Sequence, residues 1–423
     1  MSYTGVSDRA VSQNTPTGRS DGMVPYIPPK LRPHSMTLPR TGLINFGVTC
    51  YMNSILQALS ATTPLTALFL QDDFKRSKQA NWKGSKGVLP ELYSNLMRSL
   101  WKGDVSSIKP TTFKNFCGRL NASWTGAAQQ DAKEFFDFLV ETLHQDLNTN
   151  WNKSILRELT PAQEAAREQM PKFLASKREW SRYLHREYSS VSELFGGQTM
   201  SHLRCLTCGF VSTTWEFFTS ISVEIPPSGS ATLAQCLSQF CREEKISGAE
   251  AWRCPRCKEF RDATKRITIT RAPTYLVIHF KRFSISGYNN SLNKVHTVID
   301  FPLRNFSLDP WMLPPPQPSE QKQIQHSALP EELRPELSMT PPYTYDAYAV
   351  LKHIGSNITS GHYTTAAKDR AKGRERWMLY NDTQVLGLDP ERGGRDRLQD
   401  REAYIVFYER VAPEDGAGGG GRL

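Results

Sequence analysis

The sequence predicts an α+β fold in which a helical region precedes two strand-rich ones. Three observations carry this. The segment DAKEFFDFLVETLHQDL repeats apolar residues at spacings of three and four, the mark of a helix with one buried face. Two CxxC pairs bracket a stretch of alternating strand pattern. Short, nearly all-apolar runs, YLVIHF and AYIVFY, have the length and composition of buried strands.

The helical region runs from about Thr41 to Tyr188. In its best helix Ala132, Phe135, Phe136, Leu139, Val140, Leu143 and Leu147 share one face. The second region, about Glu193 to Ala272, holds both CxxC pairs, and Ile221, Val223 and Ile225 keep the strand period of two. The third begins at Tyr275 and is strand-rich. Residues 1–38 and 411–423 have no apolar period and are rich in small and polar residues, so both are expected to be disordered tails. Residues of about 309–342, with the run PPPQP, are expected to form a surface insertion rather than a core element.

Bulk properties narrow the possibilities. At 423 residues and 39% hydrophobic, the chain can bury a sizeable core. The net charge of +10 suits acidic partners without choosing among nucleic acid, anionic membrane and protein. No run of about eighteen apolar residues is present, so no transmembrane segment is expected. The first residues, MSYTGVSDRAVSQNTP, lack the apolar core of a secretion signal. A cytoplasmic or nuclear location follows as the expectation. The eight cysteines then point to metal or catalysis rather than disulfides.

The segment TGLINFGVTCYMNSILQAL is the most informative. Cys50 stands just before a run with helical spacing of Ile55, Leu56 and Leu59, and Thr49 is a candidate cap for that helix. A thiol at a helix N-terminus lies near free N–H groups and the positive dipole end, which favours the reactive thiolate. The NFGVT loop before it could aim backbone N–H groups and the Asn45 amide at a reacting carbonyl. A buried, inert thiol is the competing reading until a base is found.

His362, in SNITSGHYTTAAK, is the candidate base. It opens a strand-like stretch, and RWMLYNDTQV follows after the loop KDRAKGRER. A hairpin of these strands would bring His362 beside Asn381 or Asp382, as thiol catalysis requires: the imidazole takes the thiol proton and a third group orients the imidazole. His279 and His353 lie in apolar contexts and read as structural.

Cys205 and Cys208 form CLTC, and Cys254 and Cys257 form CPRC about 45 residues later. Four thiolates in two knuckles suit one structural zinc ion, with no coordination position left open. Cys117, Cys236 and Cys241 have no partner spacing and read as buried and inert.

With these motifs in view, the chain resembles the ubiquitin-specific protease family over most of residues 41–410. GLINFGVTCYMNSILQAL resembles the family's Cys box, and AAQQDAKEFFDFLVETL its QQD-E-F helix. LFGGQTMSHLRCLTCGFVSTTWEFF resembles the entry to its fingers, and TYLVIHFKRF a strand of its palm. YDAYAVLKHIGSNITSGHYTTAAK with WMLYNDTQV resembles its His box. The resemblance implies a papain-like cysteine protease fold within residues 39–410, with a helical thumb of about 41–190, zinc-bearing β fingers of about 193–272 and a β-rich palm of about 273–410. It implies hydrolysis of the bond after ubiquitin's C-terminal glycine, with ubiquitin and ubiquitinated proteins as partners. Cys50 falls on the nucleophile, His362 on the general base, Asn381 on the third catalytic position with Asp382 beside it, and Asn45 on the oxyanion-stabilising position. Asp131 and Glu134 match acidic positions that grip ubiquitin's basic tail, and Gln130 and Tyr363, in the same boxes, are grouped with them as substrate-binding. For Asp131 and Glu134 the competing reading is an ordinary acidic helix start. Within the family the similarity is greatest to the branch that acts at endosomes. The larger N-terminal portion of those proteins does not occur in this sequence, which weakens the expectation of endosomal association and leaves room for a targeting or activating partner.

Three other functions compete. A non-catalytic ubiquitin-binding scaffold would show damage at Cys50, His362 or Asn381, and none is present. A zinc-ribbon nucleic-acid binder would need basic and aromatic residues clustered around the knuckles, so no nucleic-acid partner is expected. A protease for another ubiquitin-like modifier would carry the same catalytic residues.

Overall fold

Hydrophobic periodicity changes along the chain, and the architecture follows it. The computed structural model describes residues 37–227, 229–286, 291–357, 360–369, 376–388 and 398–411. The expected N-terminal tail, except residues 37–38, and the C-terminal tail, except residue 411, lie outside these residues, as do residues 370–375 of the basic hairpin loop.

Helices occupy the first part. The helix Cys50–Ser60 is buried along its whole length. It packs against the helix Ala132–Leu147 on one side and the strand Ser360–Asp369 on the other. All seven apolar residues expected on the face of Ala132–Leu147 are buried, and Asp131 caps it. Leu56, Leu59, Phe135, Phe136 and Leu139 meet Tyr348, Leu351, Tyr363 and Phe407 of a sheet in one continuous core.

That sheet has eight strands. Its main path runs Gln384–Leu388, Arg376–Asn381, Ser360–Asp369, Thr344–Asn357, Ala403–Arg410, Tyr275–Lys281 and Ile221–Glu224. Along Tyr275–Lys281, Tyr275 and Val277 enter the core shared with the helices, while Leu276, Ile278 and Phe280 enter a second core on the opposite face. Burial on both faces explains why YLVIHF is almost wholly apolar instead of alternating.

A separate four-stranded sheet, ordered Val211–Phe218, Gly197–Cys205, Ala263–Arg271 and Glu244–Ile246, forms the middle region. The two-stranded hairpin of Trp252–Arg253 and Phe260–Arg261 stands at its end.

One expectation needs correction. Thr49 occupies the cap position, but its hydroxyl makes no cap bond. It accepts instead from the Phe46 N–H at 3.3 Å and meets Asn45 Oδ1 at 3.3 Å, because the preceding loop turns back on it. The Pro-rich insertion carries structure of its own. It contains the helix Pro318–Ser327, and Met312, Ile324 and Met339 are buried. Cations from three distant places fasten it. Lys177 donates to the carbonyls of Glu332 and Arg334 at 2.7 Å each. Arg178 forms a fork with Glu332 at 2.9 and 3.1 Å. Arg271 pairs with Glu336, and Arg410 donates to the carbonyls of Leu337, Thr340 and Pro342.

Candidate active site

The site forms where the first turn of a helix meets the end of a hairpin. Cys50 is the first residue of Cys50–Ser60, and the loop before it turns at Gly47 with φ of +105°. The hairpin is made by Ser360–Asp369 and Arg376–Asn381, paired antiparallel. The turn that follows Asn381 reaches back to the short strand Gly42–Leu43, where the Leu43 N–H donates to Asp382 O at 2.8 Å. Gly42 permits this approach: a Cβ there would lie 2.6 Å from Asp382 O and from the Thr383 backbone. Asp382 itself has φ of +49°, a left-handed position that aspartate tolerates better than most residues.

His362 Nε2 lies 2.6 Å from Asn381 Oδ1. A carboxamide oxygen only accepts, so Nε2 carries a proton and Nδ1 is left for the thiol. Asp382 Oδ2 is farther away, at 3.9 Å from His362 Nε2. Its two oxygens accept from Asn45 Nδ2 at 3.0 Å and Asn53 Nδ2 at 2.9 Å. Asn45 Oδ1 in turn accepts from the Thr49 N–H at 3.0 Å. Asn45, Asn381 and Asp382 thus join the Cys50 loop to the His362 hairpin, with Asn381 facing the imidazole and Asp382 facing the loop.

Burial pushes the Cys50 thiol up, but a hydrogen bond to His362, the Tyr363 backbone, Gln129 and the charge of His362 together bring it below its ordinary value. The hydrogen bond to Cys50 raises His362, burial opposes it, and Asn381, the Cys50 charge and Asp382 add to the rise; the imidazole ends at about 9. The two shifts describe one thiolate–imidazolium pair. The other lone cysteines go the opposite way. Burial lifts Cys117 to about 12, and Cys236 and Cys241 to about 11. Burial also lowers His279 to about 3 and His353 to about 4, so neither titrates near neutrality.

Sequence reasoning missed Gln129. Its Nε2 lies 3.5 Å from Cys50 Sγ. The neighbouring Gln130, grouped with the substrate-binding residues, is half-buried. Asp131 turns inward: Oδ1 accepts from the Lys133 N–H at 2.6 Å and Oδ2 accepts from Tyr404 Oη at 2.5 Å. Its carboxylate therefore serves as helix cap and tyrosine acceptor. Glu134 remains exposed, with its carboxyl raised by burial and by the charges of Asp131 and Asp137. Tyr363 is 1% exposed and lies beneath the site, its ring 4.7 Å from that of His353.

At the far end of the four-stranded sheet, Cys205, Cys208, Cys254 and Cys257 gather with all their Sγ atoms within 4.8 Å of one another. Two of the separations are 4.0 Å, Cys205 to Cys257, and 3.6 Å, Cys208 to Cys254. A tetrahedron of thiolates at zinc–sulfur bond length has edges of roughly 3.8 Å. The donor set and spacing fit that metal and are far too long for disulfide bonds.

A family model described as ubiquitin carboxyl-terminal hydrolase matches residues 41–408. The chain is 35% identical over 379 residues to Ubiquitin carboxyl-terminal hydrolase 4 of Saccharomyces cerevisiae (strain ATCC 204508 / S288c), an alignment covering 88% of this chain and 39% of that protein. It is 31% identical over 400 residues to Ubiquitin carboxyl-terminal hydrolase 21 of Rattus norvegicus, covering 91% and 64% respectively. The chain thus spans less than two thirds of the length of either relative. Among solved structures it is similar in fold to a chain from the SAGA Ubp8/Sgf11/Sus1/Sgf73 DUB module bound to ubiquitin aldehyde, with a TM-score of 0.62, 22% identity, and coverage of 89% of this chain and 71% of that one.

Proposed function

Because the chain belongs to the ubiquitin carboxyl-terminal hydrolase family, we propose that it hydrolyses the isopeptide, peptide or thioester bond after ubiquitin's C-terminal glycine, with Cys50 as nucleophile. The observation that carries this reading is the ordered line from Cys50 through His362 to Asn381, with the thiol at a helix N-terminus. In it the Cys50 thiolate attacks the carbonyl carbon of the terminal glycine. Backbone N–H groups at the helix start, with Asn45 nearby, face the charge that develops on the carbonyl oxygen. His362 Nδ1–H gives its proton to the leaving amine as the carbon–nitrogen bond breaks, leaving a thioester on Cys50. Water then attacks the thioester, His362 takes its proton, and the thiolate departs. Asn381 keeps the imidazole in the tautomer that both steps use.

The four cysteines would hold one structural zinc ion, which closes the far end of the finger sheet and supplies no chemistry at Cys50. Ubiquitin would seat across the fingers and palm, with its basic tail drawn toward the acidic helix start at Asp131, Glu134 and Asp137. A targeting or activating partner, and a cytoplasmic or nuclear place of action, belong to the same proposal. Among the described residues no helix is long and apolar enough to cross a membrane.

The test is reaction of the zinc-loaded protein with a ubiquitin C-terminal electrophile. A mass gain of one ubiquitin, lost in Cys50→Ala, is the expected result. A folded protein that binds ubiquitin yet forms no adduct is a scaffold, and one that reacts only with a different modifier has been assigned the wrong substrate.

A further inference from the structure

Gln129 touches the thiol from a segment with little holding it. Residues 125–130 run without regular structure from the short turn Ala122–Trp124 to the helix Ala132–Leu147. Asp131 fixes the far end by capping that helix. The near end is fixed by a residue remote from the site, Lys114.

Lys114 lies on the helix Thr111–Leu120 and is only 8% exposed. Its Nζ donates to the carbonyls of Trp124 at 2.9 Å, Thr125 at 3.3 Å and Gly126 at 3.4 Å. An ammonium has three N–H groups, and three consecutive backbone oxygens face them. Burying a charge costs free energy that such contacts must offset, so the carbonyls are drawn inward. Trp124 is held from its other side by Tyr51, the neighbour of Cys50, with rings 5.7 Å apart. The segment then passes over the nucleophile loop: a Cβ on Gly47 would lie 3.9 Å from that of Ala127.

We propose that Lys114 is a positioning residue: by fastening the carbonyls of residues 124–126 it sets the path of the segment and holds the Gln129 carboxamide on Cys50. The inference rests on reading Cys50 as the nucleophile. Without the clasp, Gln129 Nε2–H no longer donates steadily to the thiolate, and Cys50 ionises less readily.

The experiment is alkylation of Cys50 by chloroacetamide across pH, followed by peptide mass, in the wild-type chain, Lys114→Met, Gln129→Ala and the double variant. The other groups that titrate around the thiol, His362, Asp382, Tyr51 and Tyr363, and Cys117 beside Lys114, are the same in all four. Lys114→Met should move the acid limb up by roughly one pH unit, the scale of a lost hydrogen bond to a charged group. Gln129→Ala should move it equally, and the double variant no further than either alone. A full additional shift in the double variant, or an unshifted limb in folded Lys114→Met, overturns the proposal. If Lys114→Met does not fold, Lys114→Arg is read by the same cycle, because it keeps the buried charge while displacing the donors. Failure of wild-type Cys50 to alkylate ahead of the other cysteines refutes the nucleophile reading instead, so the two failures are distinguishable.

Discussion

Asn45 and Asp382 stand 337 positions apart in sequence, yet the Asn45 carboxamide donates to Asp382 Oδ2 at 3.0 Å. That bond ties the loop before Cys50 to the hairpin that carries His362, and Asn53 adds a second tie to the same carboxylate. Asp382 therefore ties the two segments together, while Asn381 bonds the imidazole.

Asp382→Ala removes both ties, leaving the Asn45 amide without its acceptor and the Asn53 amide with the Leu43 carbonyl at 3.3 Å. It should cost about 1–3 kcal/mol of stability. It should also lower kcat roughly a hundredfold, because a displacement of about 1 Å at the reacting atoms has that effect. Asn381→Ala should lower kcat with little loss of stability, since among the described residues its side chain bonds only His362. Thermal melts beside turnover of a fluorogenic ubiquitin substrate separate the two; equal stability losses would show that the division of labour is wrong.

The Cys50–His362 pair sets the pH response. The thiol ionises below its ordinary range, and the imidazole holds its proton up to about 9. Alkylation of Cys50 should therefore set in at lower pH than for a free thiol and should persist above pH 9. Hydrolysis should fall above about 9, where the imidazolium no longer has a proton for the leaving amine. The stability contribution of His362 follows its raised pKa: it is fully present below the unfolded value of about 6.5 and is lost as pH rises through about 9. In Cys50→Ala the largest cause of the rise is gone. His362 should then titrate well below 9 by NMR, and an unchanged titration would refute the pairing.

Much of this was legible before the fold was known, and the remainder was hidden for definable reasons. The face of the helix Ala132–Leu147 repeats in sequence, so all seven of its apolar residues could be named. The cysteine knuckles have fixed local spacing, which led directly to the cluster. Gln129 and Gln130 are chemically identical neighbours, and only the path of the backbone decides which reaches Cys50. Asp131 offered two uses for one carboxylate; the partner that settles its orientation, Tyr404, lies 273 residues away. The insertion shows no hydrophobic period because much of its anchoring comes from cations of other elements meeting its carbonyls and Glu332 and Glu336. Such contacts leave no trace in local composition.

The four-cysteine cluster lies at the end of the four-stranded sheet, whereas Cys50 opens a helix packed on the eight-stranded one, which gives metal removal a split outcome. Chelation, or Cys254→Ser, should loosen the hairpin Trp252–Arg253/Phe260–Arg261 and the adjoining strand ends. Adduct formation with the ubiquitin electrophile should drop sharply, because the finger surface is disordered. Alkylation of Cys50 by a small electrophile should stay near the wild-type rate. Metal content by mass spectrometry, at one zinc per chain before chelation, anchors the comparison; parallel loss of both reactions would mean that the cluster supports the catalytic core as well.

Gly361 precedes His362, and its lack of a side chain is what lets the imidazole sit where it does. A Cβ there would lie 2.4 Å from His353 Nε2 and 2.9 Å from Ile354 O. His353 cannot yield: it is fully buried, with the rings of Tyr363 at 4.7 Å and Phe283 at 5.0 Å. In Gly361→Ala the strand must shift instead, and His362 is the next residue along it. Turnover should fall roughly a hundredfold and stability by about 1–3 kcal/mol, the ordinary cost of overpacking. The cure follows from the same contact. Among the described residues neither ring nitrogen of His353 has a hydrogen-bond partner, so His353→Ala removes the obstruction without orphaning a described polar group. The double variant Gly361→Ala/His353→Ala should be more active than Gly361→Ala alone, whereas His353→Ala by itself should lose stability through the cavity it leaves. If the double variant is no more active than Gly361→Ala, the collision with His353 is not what displaces the base.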